Sequence, residues 1–83
     1  MDLLEVVTEG AMRALALHAN DQGVDGVACL PRLRTIIRDE WPELLDSLKD
    51  ETEAGMNDQM AQHAINVYCN AWAVKAIKEA RRR

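Results

Sequence analysis

Phenylalanine is missing from this chain, and the only aromatic residues are Trp41, Tyr68 and Trp72. A core must therefore be built from Leu, Val, Ile, Ala and Met, placed at helical rather than alternating spacing. Serine occurs once, at Ser47, among Asp46, Lys49 and Asp50 on what reads as a solvated helix, so no nucleophile stands beside a base. Neither a nucleophile elbow nor a glycine-rich phosphate loop is present. The amino terminus has no basic region and no long apolar stretch; neither a signal peptide nor a transmembrane helix is expected, and the reading is of a cytoplasmic protein without membrane insertion. Two cysteines, Cys29 and Cys69, then read as reduced core residues. The chain also lacks internal repeats and low-complexity tracts.

What is present is a chain of 83 residues, 48% hydrophobic and 29% charged, with a net charge of −4. That composition is globular and the length is one domain, 1–83. A single core of this size yields a net stability on the order of 3 to 5 kcal/mol, which help from a second subunit would raise.

From Leu3 to about Ala19, Leu4, Val7, Ala11, Ala14, Leu15 and His18 recur on one helical stripe, widened by Leu3, Val6 and Leu17. Glu9 and Arg13 form a favourable pair on the opposite face. Asn20, Asp21, Gln22 and Gly23 supply a turn, with Gly23 as the left-handed residue. A second helix is expected from about Pro31, or one turn earlier, with Leu33, Ile36 and Ile37 inward. Pro42 disfavours helical geometry at Trp41, so a kink or break is expected there. A third helix, about Pro42 to Glu53, would then turn Leu44, Leu45 and Leu48 inward. Gly55 and Asn57 read as a stop and an N-cap.

The last helix, about Asp58 to Arg81, carries no charged residue from Gln59 to Val74. Met60, Ala64, Val67, Ala71 and Val74 form one seam, and Ala61, Ile65, Tyr68 and Trp72 a second beside it. The remaining strip is Gln59, Gln62, Asn66 and Asn70. A helix so free of charge either forms the pillar of a bundle or buries part of itself against another molecule. The expected fold is all-α, a compact bundle of three to four helices with a long C-terminal helix. Ala64, Val67, Tyr68, Ala71, Trp72 and Val74 are the candidates for self-association, and a homodimer is expected.

Residues 39 to 58 hold eight acids against Lys49, and residues 75 to 83 hold five basic residues against Glu79. Glu40, Glu43, Asp46 and Asp50 are the candidate surface for a protein partner, steering it by charge. Metal binding by His18, His63, Cys29 and Cys69 is disfavoured, because these residues are scattered singly over separate elements. No cofactor site is expected. Arg32, Arg34 and Arg38 on a helix before a turn and another helix superficially resemble a helix-turn-helix, but Glu43, Asp46 and Asp50 on the second helix would repel DNA. The function expected is therefore that of a non-enzymatic protein-interaction module, modulating or inhibiting a larger cellular protein. A small DNA-associated regulator is the alternative. In size and charge alone the chain is similar to small inhibitors such as antitoxins and phage-encoded accessory proteins; no motif ties it to a family.

Overall fold

The computed structural model describes residues 2–53 and 58–82, with the backbone alone at 51–53 and 58. Three helices run through them: α1 (Leu3–Asp21), α2 (Gly26–Glu53) and α3 (Asp58–Arg81). No strand occurs among the described residues.

The start of α1 is fixed by Asp2, whose extended backbone lets its carboxylate accept from the Leu4 amide at 3.4 Å. At the other end Gln22 caps the helix, and Gly23 follows with φ +66°, the left-handed position expected of it. Val24 then closes the turn by donating to the Ala19 carbonyl at 2.8 Å. Val7, Ala11, Ala14, Leu15 and Ala19 form the buried stripe of α1. Gly10 lets α1 come close to α3, because a Cβ there would lie 3.3 Å from Cys69 Sγ.

Helix α2 begins at Gly26, the earlier of the two expected starts, since Asp25 acts as the N-cap and accepts from the Val27 amide at 3.0 Å. It departs from the expectation by continuing through Trp41 and Pro42 without a break, so the two helices expected here are one. The physical reason is the placement of the prolines. Eleven residues separate Pro31 from Pro42, close to three full turns, and both lie on the exposed side of α2. Each proline removes the hydrogen bond to the carbonyl four residues earlier. Those carbonyls belong to Val27 and Arg38, both exposed, where water can satisfy them. Meanwhile Cys29, Leu33, Ile36, Ile37 and Leu44 are buried along the opposite side and anchor the helix to the core on both sides of Trp41 and Pro42. Leu45 is a correction of the same kind: it is 41% exposed, turned away from the core that Leu44 enters and Leu48 borders.

α3 packs against both other helices, while α1 and α2 touch each other least. It contributes Ile65, Cys69, Trp72, Ala73, Ala76 and Ile77 to the core. The C-terminal helix is thus the central element, although α2 with 28 residues is longer than α3 with 24. At about 1.5 Å per residue, α2 alone accounts for the 42 Å long axis of the molecule. The expected stop at Gly55 and cap at Asn57 lie outside the described residues.

Candidate functional site

The two neighbouring apolar seams of α3 differ in burial. Trp72 is 1% exposed and Tyr68 is partly buried against the core, so both serve the interior of the protomer. Their rings meet edge to face at 5.7 Å, and the Tyr68 hydroxyl lies 2.9 Å from Ser47 Oγ. Ser47 therefore faces α3, not solvent as its acidic neighbours suggested. Trp72 Nε1 has no hydrogen-bond partner among the described residues.

The other seam lies on the outside. Met60 is 56% and Val67 51% exposed, Ala71 is exposed, and Ala64 and Val74 are partly covered. Beside it, His18 of α1 borders an open depression with Asn70, Ala71, Val74, Lys75 and Lys78. Gln62 and Asn66 bond to each other at 3.2 Å on the exposed surface of the same helix. The self-association candidates are therefore divided: Ala64, Val67, Ala71 and Val74 share the outer side, and Tyr68 and Trp72 do not.

The charged candidates are divided as well. Glu40 accepts from Lys75 Nζ at 3.3 Å across the α2/α3 junction, and Arg32 pairs with Glu79 at 3.9 Å one stretch further along. Both pairs tie α2 to α3. Glu43, Asp46 and Asp50 are exposed and, with Asp39, form a stripe along one side of α2. Arg34 and Arg38 are exposed on another side, where they line a groove with Leu4, Thr8, Ile37 and Trp41. Among the described residues Arg38 reaches only its neighbour Asp39, at 3.6 Å. The three arginines accordingly do not share one face, and α2 continues through Trp41 and Pro42, where the turn was expected.

Helix-end electrostatics separate the two charge clusters. Lys78 and Arg81 lie in the last turn of α3, where positive charge stabilises the helix. The last turn of α2 contains no basic residue, and Asp50 lies one turn short of its end, where negative charge works against the macrodipole. Helix stability does not explain the acidic stripe. Asp50→Lys is expected to stabilise the protein by about 0.3–1 kcal/mol, read as a higher urea midpoint with unchanged slope; a lower midpoint would show that Asp50 is already well paired.

Cys29 and Cys69 are both free and buried. The Cys69 thiol donates to the Val7 carbonyl at 3.5 Å, and burial pushes its pKa up. Such a thiol remains neutral and unreactive, a packing residue in its behaviour. No group of three or more His, Cys, Asp or Glu residues that could hold a metal occurs among the described residues. No helix of the described residues is long and apolar enough to cross a membrane.

The cleft between α1 and α2 is the surface that sequence reasoning passed over. Besides the groove at Leu4 and Trp41, a second depression of about 430 Å³ continues the cleft between Met12 and Ala16 on α1 and Val27 and Leu30 on α2. Exposed apolar residues border it: Leu4 at 44%, Met12 at 39% and Val27 at 73%. Leu4, expected in the core stripe, instead lies at its edge, and a signal existed in its recurrence with Thr8 and Met12 every four residues. Compared with models of known families, with curated proteins and with solved structures, the chain finds no match.

Proposed function

We propose that this chain is a non-enzymatic protein-interaction module, homodimeric, that modulates or inhibits a larger cellular protein. The observation that carries the binding of the larger protein is the outer side of α3, where Met60 and Val67 stand half-exposed with Ala64, Ala71 and Val74 on a helix directly opposite its buried face. An apolar strip on the solvent side of a central helix contributes nothing to the protomer's core, and burial against another protein would give it a role. The small alanines beside Val67 permit close approach of a partner helix. The acidic stripe of Glu43, Asp46 and Asp50 complements this role by accelerating encounter with a basic partner surface. The DNA-regulator alternative is weaker, because Arg32 is engaged by Glu79, Arg38 stands against Asp39, and the two exposed arginines, Arg34 and Arg38, neutralise too few phosphates.

Affinity capture from a cell lysate, with the wild type and with Val67→Asp in parallel, tests the reading. Because Val67 is 51% exposed, its replacement is expected to change stability by no more than about 0.5 kcal/mol. The proteins retained by the wild type are expected to be lost with the variant. Identical retention by both chains would remove the outer face of α3 from any partner contact.

A further inference from the structure

We infer that the open cleft between α1 and α2 is closed by the same cleft of a second copy, related by a two-fold axis running along the groove. This inference rests on the module being homodimeric and specifies the surface that makes the dimer. Helices α1 and α2 are the least closely joined pair in the bundle, and apolar side chains remain uncovered along the length of their junction. From Leu4 to Ala19 the cleft runs about 22 Å at 1.5 Å per residue. Its closed end is fixed where Gly26 meets α1, since a Cβ at Gly26 would lie 3.4 Å from Ala19 Cβ. In an antiparallel pair with Ala19 level with Gly26, Thr8 is level with Ile37 and Leu4 with Trp41; both pairs line the same groove.

Charge identifies the occupant. One residue beyond Leu4 and Thr8, on the outer bank of α1, Glu5 and Glu9 are exposed, and on the α2 bank Arg34 and Arg38 are exposed. Glu5 and Arg34 hold no ion pair among the described residues. Glu9 and Arg38 hold only pairs within their own helices, to Arg13 at 3.7 Å and to Asp39 at 3.6 Å, between side chains at least 63% exposed. Such pairs are weak and exchangeable. A two-fold axis parallel to the groove lays α1 of one copy over α2 of the other with heights unchanged. The second copy's Glu5 and Glu9 then straddle Arg38, and its Glu9 lies within about half a turn, roughly 3 Å, of the height of Arg34. The symmetry repeats the arrangement on the other side, so acidic meets basic twice. The apolar strips at Leu4, Met12, Leu30 and Trp41 meet between these banks, making a four-helix layer from two hairpins.

A charge exchange tests this directly, because all four residues are exposed and their replacement spares the core. Sedimentation of the full chain at about 100 µM, well above a micromolar dissociation constant, is expected to give the mass of two chains. The variant carrying Glu5→Lys and Glu9→Lys places Lys against Arg, and the variant carrying Arg34→Glu and Arg38→Glu places Glu against Glu. Each alone is expected to self-associate at least tenfold more weakly, with an unchanged circular dichroism spectrum. Mixed together, the two variants restore both complementary contacts and are expected to form a heterodimer. A wild type that sediments as a single chain overturns the inference. So does a dimer indifferent to both exchanges, or a pair of variants that fail to associate when mixed. Val67→Asp is expected to remain dimeric; a dimer broken by Val67→Asp and not by the exchanges places self-association on α3, overturning the cleft while leaving the interaction module standing.

Discussion

Trp72→Ala is expected to abolish the fold at room temperature. Trp72 is the largest of the fully buried side chains, set in the central helix with 1% of its surface exposed. Truncating a buried tryptophan to alanine costs about 3–5 kcal/mol, from lost transfer energy and from the cavity left behind. That matches the entire net stability of a core this size, on the order of 3 to 5 kcal/mol. Loss of most of the helical circular dichroism signal, or a denaturant midpoint near zero, is the expected result. A variant with the wild-type midpoint would mean that this side chain is not in the core. Trp72→Phe separates packing from polarity. The indole N–H is buried without a partner among the described residues, a condition that costs about 1–3 kcal/mol. Phenylalanine removes that group while keeping a ring against Tyr68, so its loss of stability should be less than half that of alanine. An equal loss in both variants would show that the indole N–H is engaged.

The inward position of Trp72 shows what the sequence could and could not reveal. Periodicity identified α3, its bounds and both of its apolar seams, but the two seams are almost equally hydrophobic. Which one turns inward is decided further along the chain. One turn beyond Trp72 and Ala73 stand Ala76 and Ile77, so that seam continues to the end of the helix, whereas Ala71 and Val74 are followed by Lys75 and Lys78. Following each seam to its end would have made the choice. The carboxyl end of α1 was legible because Gly23 acts locally, through one backbone torsion. Glu40 is different: its partner Lys75 lies 35 residues away on another helix, and only the packing of α2 on α3 brings them together. The α1/α2 cleft was hidden for the same reason. Its openness depends on how closely two helices approach, a distance that no pattern within either helix encodes.

The continuity of α2 through Pro42 makes the second large prediction. In a helix interior proline is about 3 kcal/mol less favourable than alanine, since its ring crowds the carbonyl four residues earlier and removes that carbonyl's hydrogen bond. Here the carbonyl belongs to Arg38, and Pro42 itself is exposed, so its side chain supplies no packing that a substitution would lose. Pro42→Ala therefore restores a backbone hydrogen bond in the middle of the longest helix. The opposing effect acts through the unfolded chain, which becomes freer by about 0.4–1 kcal/mol when proline is removed. The first effect exceeds the second, and a net gain of about 2 kcal/mol is expected. For a domain of this size each kcal/mol raises the melting temperature by about 4–8 °C, so an increase of roughly 10 °C should be seen in a thermal scan. Pro31→Ala should gain less, because Pro31 lies only six residues into α2, where the helix end frays and strain is more easily relieved. The two accounts of α2 thus differ in sign. In a helix broken at Trp41, Pro42 would occupy the first turn of a new helix, where proline is favourable, and alanine would lower stability. A fall in melting temperature for Pro42→Ala would restore the four-helix reading, whereas a rise places Trp41 and Pro42 inside one continuous helix.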